Sequence, residues 1–468
     1  MASSRKSSLP DLADRVAALI TPQVPAHSSI LIGLSGGVDS VVLLHLLNQL
    51  APRFFWQLSA LHVHHGISPN ADAWADFCAD LCAQHQIPLY IEHVDIAPLR
   101  AHGIEAAARK LRHAAFAAQA SDFVAVAHHI DDQAETLLLQ LLRGAGVRGA
   151  AAMPVLSQRI LRPLLHCSRQ EILDYADAHR LRWIEDESNT DDSYPRNFLR
   201  HRVLPLLSKK FPAWRDTLAR SAQHFAEASH LLDELAQQDA QPHEPSSQEI
   251  PQATLELSQL QSLTLPRAKN LLRYFLHSAG ATMPQAVQLD DMLQQLCSAR
   301  QDAAVCIAYG EFWEVRRYRG RVYVLRALAE FDQNLVLAWH GEAILDWPAL
   351  RTQLHFNDVQ AAGISLAKLQ GAAVTLRLRQ GGETLRPQQN AATRTLKNLL
   401  QEHHIPPWQR DRLPLLYCGE DLVCVPGVAA AATYQATGNE AGVSVVLSPN
   451  SESAPSPLQG EGWDGGRR

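Results

Sequence analysis

The sequence predicts a multidomain α/β protein: an N-terminal doubly wound, mostly parallel sheet, then a small mainly helical domain and a C-terminal α+β domain. Three observations carry that prediction. Short apolar runs alternate with amphipathic stretches between Ser29 and Pro205, as a layered parallel sheet requires. The alternation stops beyond Pro205, and 468 residues exceed one ordinary core, which gives roughly three domains.

The predicted strands are 30–34, 58–63, 88–94 and 123–127, each a short apolar run bounded by turn residues. Helices are expected between and after them at 40–50, 72–84, 104–118, 132–143 and 168–179. One long helix follows at 214–236, and a Gln-, Pro- and Ser-rich linker covers 237–251. Helical patterns at 265–278 and 285–297, with strand-like pieces at 305–308 and 321–325, make the middle domain. A strand-rich connection at 335–366 leads to a compact unit of short strands with a helix near 394–403. The resulting domain limits are 1–215, 216–335, a connecting segment 336–370, and 371–447. The tail 448–468 is too polar to offset the entropy of ordering and is expected to be disordered.

Composition excludes several classes. An apolar share of 46 % with 19 % charged residues and 26 prolines is that of a globular chain, and no apolar run is long enough to cross a bilayer. Seven scattered cysteines with no C-x-x-C pair fit reduced thiols in a cytoplasmic protein. The net charge of −6 decides nothing about nucleic acid, because phosphate binding depends on local clustering. Such clusters exist: Arg196, Arg200, Arg202, Lys209, Lys210, Arg215 and Arg220, and further along Arg377, Arg379, Arg386, Arg394, Lys397, Arg410 and Arg412. They read either as tracks for RNA phosphates or as solubilising helix faces.

The strongest local signal is Ser35-Gly36-Gly37-Val38-Asp39-Ser40, set between an apolar strand and an apolar-periodic helix. Paired glycines allow a tight turn that presents N–H groups, the two serines add donors, and the helix points its positive end at the same place. The loop is a pyrophosphate cradle, but it lacks the lysine of G-x-x-x-x-G-K-[ST] and is not G-x-G-x-x-G. Asp39 would repel phosphate there unless it held a cation, and Mg²⁺ is the candidate.

Glu105, Arg109 and Arg112 share a helical face, either to hold phosphate or RNA or as a solvated i,i+4 pair. In His128-His129-Ile130-Asp131-Asp132-Gln133-Ala134-Glu135, Asp132 and Glu135 lie three apart at a strand-to-helix junction, where open α/β sheets bind ligands. They suit magnesium or proton handling, or else complement the helix dipole. The histidine doublet is a poor zinc signal, since adjacent side chains diverge and no further ligand motif accompanies it. Asp186-Glu187-Ser188-Asn189 and Arg196-Asn197-Phe198-Leu199-Arg200 then combine acids, amides and arginines.

The glycine loop resembles the PP-loop of the N-type ATP pyrophosphatases. The series SGGVDS, His64-His65-Gly66, GIEAAAR, HHIDDQAET, Arg162-Pro163-Leu164-Leu165, DESN and RNFLR resembles the tRNA(Ile)-lysidine synthases across roughly 29–205. Pro266 to Tyr274 with Glu314 to Leu325, and Arg377-x-Arg379 onward through Lys397-Asn398-Leu399-Leu400 and Leu413-Pro414-Leu415-Leu416, resemble that family's later domains. His113 and Gly382-Glu383 depart from its usual pattern.

The resemblance implies a Rossmann-like PP-loop ATPase domain and a two-step reaction. ATP adenylates the C2 oxygen of the wobble cytidine in CAU-anticodon tRNA(Ile), and the ε-amine of free L-lysine then displaces AMP to give lysidine. It implies ATP and Mg²⁺ as cofactors, tRNA, lysine and ATP as partners, no membrane, and a homodimer as an allowed state. Ser35, Gly36, Gly37, Val38, Asp39 and Ser40 would bind the ATP phosphates, with Asp39 and Glu135 favouring Mg²⁺. Asp132 would attract the lysine ammonium or take its proton, Arg109, Arg112 and Arg200 would stabilise phosphate, and Asn189 would orient cytosine or AMP. Which carboxylate is base and which holds metal stays open. The alternatives are a PP-loop tRNA thiolase, which would need reactive cysteines where Cys78 and Cys82 look like core, and a non-catalytic tRNA-binding module.

Overall fold

The computed structural model describes residues 11–66, 68–98, 104–185, 191–240, 254–300, 303, 305–310, 312–327 and 331–449. They form two compact units, residues up to 240 with 259–283, and 254–258 with 284–449.

The first unit runs α1 (Leu12–Ile20), β1 (Ser29–Gly33), α2 (Val38–Phe54), β2 (Gln57–His64), α3 (Ala71–His85), β3 (Leu89–His93), α4 (Ile104–Ala118), β4 (Phe123–Ala125) and α5 (Ile130–Leu142). It continues through α6 (Val147–Ala150), β5 (Leu156–Ser157), β6 (Ile160–Leu161), α7 (Arg169–Ala178) and α8 (Pro195–Phe198). A π-helical turn at Leu199–Val203 then leads into α9 (Leu204–Lys210) and α10 (Trp214–Asp239). The strand order is β3-β2-β1-β4-β6-β5, parallel except where β5 runs against β6.

Alternation along β1 explains the layering. Ile30 and Ile32 face a core shared with α1, α2, α3 and α7, whereas Leu31 joins Leu61, Val124 and Ile160 against Ala115 and Phe116 of α4. Both faces are therefore covered, as a parallel sheet demands. The chain moves outward from β1 to β3 and returns through α4 to β4 on the other side of β1. That reversal opens a crevice beyond the carboxyl ends of β1 and β4, the place where such sheets bind ligands.

The expected strands and helices of this unit stand within a few residues of their predicted limits. The short antiparallel β5–β6 pair and the π-helical turn carry no pattern that periodicity could have found, whereas α1, not among the expected helices, buries Leu12, Ala13, Val16, Ala17 and Ile20 along one helical face. Cys78 and Cys82 are core residues, as their spacing suggests.

In the second unit β7 (Thr254–Glu256) precedes α11 (Leu257–Ser262), the first unit's α12 (Leu265–Ser278), and α13 (Ala286–Ser298). β8 (Cys306–Tyr309), β9 (Trp313–Tyr318) and β10 (Arg321–Arg326) complete an antiparallel sheet in the order β7-β10-β9-β8, two strands fuller than the two pieces visible in the sequence. A five-stranded and a four-stranded sheet follow, sharing a core that includes Trp347, Leu354, Leu376, Leu416 and Val443. The last strand, Ala441–Pro449, pairs along its whole length with Thr352–Gln360 and carries order two residues past 447. The rest of the expected tail lies outside the described residues. Among those described, no helix is long and apolar enough to cross a membrane.

Candidate active site

The loop after β1 is held from several sides. The Leu34 amide donates to the Leu61 carbonyl (2.9 Å), extending the β1–β2 ladder into the turn. Gly36 adopts φ +87°, a left-handed conformation that favours glycine, and a Cβ there would meet Ile184 Cδ1 at 2.8 Å. Its carbonyl accepts from the Ile184 amide at 2.9 Å. The Ser40 hydroxyl donates to the Gly37 carbonyl (2.9 Å) and accepts from the Ser35 amide (3.2 Å), while Ser35 Oγ lies 3.1 Å from Ser40 Oγ. Gly37 occupies the N-cap of α2 and brings no side-chain acceptor, so the first-turn amides of this 17-residue helix are left for an anion.

Asp39 stands in that first turn with 27 % of its side chain exposed. Its Oδ1 is buried and has no hydrogen-bond partner. Burial raises its carboxyl above the ordinary value, against the pull of His129 and Arg169. An orphaned carboxylate oxygen beside a phosphate cradle fits a Mg²⁺ ion, which takes one or two carboxylates together with phosphate oxygens.

Across the crevice, the short connection after β4 carries His128-His129, and α5 begins with His129 as its N-cap. The His129 amide donates to Asp132 Oδ2 (3.0 Å), so the acid caps its own helix. The His129 ring is 1 % exposed and lies 3.9 Å from Asp39, 3.7 Å from Asp131 and 3.5 Å from Asp132, linking the two sides of the crevice. Asp131 points elsewhere, accepting from the Arg169 amide (3.1 Å) and pairing with Arg215.

Asp132 and Glu135 share a face of α5, as their three-residue spacing predicts, and both meet arginine. Arg196 donates to Asp132 Oδ1 (3.0 Å) and Glu135 Oε2 (2.8 Å). Arg200 donates to Glu135 Oε1 (2.8 Å) and Oε2 (3.0 Å) and to Asp132 Oδ1 (3.3 Å). Burial alone would raise the Asp132 carboxyl, but His129, Arg196, His128 and the His129 amide outweigh it and hold Asp132 well below the usual range. Glu135, 1 % exposed, spends both oxygens on guanidinium groups, so it fits Mg²⁺ only if an arginine withdraws.

Arg109 and Arg112 lie on α4, the first half-buried and the second exposed. Burial, with Arg112 and neighbouring histidines, pushes His65 down to about 4; burial also pushes His128 down to about 3, and Arg109 adds to that. The arginine edge of α4 therefore faces the same sheet edge as the loop after β2 and the end of β4. Asn189 lies outside the described residues, as does the Glu105 side chain.

The structure thus gathers Ser35 to Ser40, Asp132, Glu135 and Arg200 at one crevice. Two members were not singled out from sequence: Arg196, whose signal was its four-residue spacing from Arg200, and His129, which residue type alone could not separate from a core histidine. All seven cysteines are free thiols, burial pushes Cys78 up to about 12 and Cys82 to about 11, and among the described residues no group of three His, Cys, Asp or Glu is placed to hold a metal. The reactive cysteine set a thiolase calls for is absent from the described residues.

Comparison with known proteins identifies the domains along the chain. Residues 9–207 match the model of the PP-loop domain, 255–323 that of the TilS substrate binding domain, and 374–447 that of the TilS substrate C-terminal domain. A tRNA(Ile)-lysidine synthase of Nitrosomonas europaea is 41 % identical over 96 % of this chain and 98 % of its own. Those of Coxiella burnetii and Escherichia coli O157:H7 are 38 % and 39 % identical, over 91 % and 92 % of this chain and 94 % and 98 % of theirs.

Proposed function

The chain belongs to the tRNA(Ile)-lysidine synthase family, and from that membership we propose how its residues divide the reaction. The enzyme is an ATP-dependent ligase that modifies the wobble cytidine of CAU-anticodon tRNA(Ile). The C2 oxygen of the base attacks the α-phosphorus of ATP and pyrophosphate leaves. The ε-amine of L-lysine then attacks C2 and the oxygen departs with AMP. A ring carbonyl oxygen is a very poor leaving group, so the protein's task is to hold the reactants together and balance charge on phosphate.

The first step belongs to the cradle. Ser35 to Ser40 and the start of α2 grip the phosphates, and Asp39 would hold Mg²⁺, which would neutralise phosphate charge. Glu135 would serve as a second magnesium ligand only if an arginine released it. Arg109, Arg112 and Arg200 stabilise phosphate, and Asn189 orients the base or AMP. The second step belongs to Asp132. A carboxylate held this far below the usual range is a weak base, so it fits the ammonium of the incoming lysine better than its proton.

The carrying observation is the buried His129 ring, 3.9 Å from Asp39 of the phosphate loop and 3.5 Å from Asp132. It supports a single site spanning both steps. We assign residues 1–215 to catalysis, 216–335 and 371–447 to tRNA with 336–370 connecting them, the enzyme to the cytoplasm, and a homodimer as the assembly to check by light scattering.

The test incubates the purified chain with CAU tRNA(Ile), ATP, Mg²⁺ and labelled lysine. Label entering the wobble cytidine only when every component is present is the expected result. Pyrophosphate release without lysine transfer would refute the assignment of the second step.

A further inference from the structure

The Asp132–Glu135 pair is closed to an ammonium ion as it stands. Five hydrogen bonds of 2.8 to 3.3 Å join it to Arg196 and Arg200. Two guanidinium charges balance two carboxylate charges, and both Glu135 oxygens already accept. The carboxylates are 11 % and 1 % exposed, whereas the arginines are 25 % and 26 % exposed, so an incoming ligand reaches the guanidinium groups first.

We propose that Arg196 is a positioning residue which, with Arg200, latches the two acids until phosphate groups draw the arginines away, so that lysine binds after nucleotide. This rests on the lysine-transfer reading above. A phosphate offers a guanidinium the same forked, charge-assisted contacts that a carboxylate does, so exchange between them costs little. An ammonium offers the arginines nothing and would have to displace them against like charge. The mounting suits movement, because Arg196 sits on the four-residue α8 and Arg200 on the π-helical turn, an irregular backbone form frequent at functional sites. Once the arginines turn to phosphate, the charge of the acids is left uncompensated where the lysine ammonium is needed.

The test is titration calorimetry of L-lysine into the full-length protein alone, with Mg²⁺ and α,β-methylene-ATP, and with these plus CAU tRNA(Ile). Lysine should bind about tenfold more tightly or better once nucleotide is present. Arg196→Gln should raise lysine affinity in the nucleotide-free protein by about that factor and shrink the nucleotide effect correspondingly. Arg196→Lys, which keeps the charge but not the fork, should restore part of the effect.

Equal lysine affinity with and without nucleotide overturns the latch. So does a nucleotide effect undiminished in Arg196→Gln, since the phosphates would then be attracting the lysine directly. If Arg196→Gln does not fold, the wild-type titration and Arg196→Lys decide alone. Label transferred to tRNA with nucleotide-independent lysine binding refutes only the latch. No lysine binding in any state and no transfer refutes the activity assignment as well.

Discussion

Replacing Asp39 by asparagine should strengthen the fold and disable the enzyme. Asp39 carries a buried carboxylate oxygen without a hydrogen-bond partner; asparagine keeps a polar atom there but removes the charge, and a charged group left unsatisfied costs about 1–2 kcal/mol more than a neutral one. Against this, the carboxylate lies in the first turn of α2, where the helix dipole contributes about 0.3–1 kcal/mol. The first effect is the larger, so Asp39→Asn should gain about 1 kcal/mol, a rise in Tm of about 2–4 °C for a unit of this size. Burial raises the Asp39 carboxyl, so the cost of its charge is full above that raised value and fades as pH falls through it. The advantage of the variant should shrink in acid accordingly. Melting curves without Mg²⁺ and nucleotide read the stability, and pyrophosphate release reads the chemistry, which should fall about 100-fold or more. Adding Mg²⁺ with an ATP analogue should stabilise the wild type far more than the variant. A variant that melts below wild type, or releases pyrophosphate at a near-normal rate, refutes the reasoning.

Gly36→Ala must place a side chain in the left-handed region and move Ile184, so a loss of about 1–2 kcal/mol is expected together with a raised KM for ATP, read by melting and steady-state kinetics. Glu135→Gln strips a fully buried acid from between two arginines and should cost about 3–5 kcal/mol, measurable by urea unfolding; a loss under about 1 kcal/mol would mean the pair is dispensable. His65 and His128 are held neutral by burial, so the unfolded chain takes up protons that the folded one refuses. Stability should decline as pH drops below about 6.5 and keep declining toward about 4 for His65 and about 3 for His128, by roughly 1 kcal/mol per pH unit per histidine. His128→Asn should flatten that slope in a pH series of melting curves.

Much of the catalytic unit was legible because its physics is local. The apolar runs that become β1 to β4 and the spacing of α2 to α5 follow from what a doubly covered sheet must bury. Asp132 and Glu135 could be assigned to one helical face from their separation alone. What the sequence hides is long-range. Nothing around Arg196 says that its guanidinium will close on Glu135, because that contact joins distant segments that meet where Leu204 and Leu207 of α9 and Trp214, Leu218 and Ala222 of α10 pack with Ala134 and Leu137 of α5. His129 is likewise silent in sequence, since its role comes from three carboxylates on two elements. The β5–β6 pair escapes detection because two-residue strands show no period.

The hydrogen bond from the Ile184 amide to the Gly36 carbonyl ties the nucleotide grip to a stretch of chain far downstream. The motif is therefore not a portable cassette. A fragment ending before Ile184 could assemble every strand of the sheet and still hold a slack noose, and anyone grafting this loop onto a new scaffold would have to transplant a distant peptide plane with it.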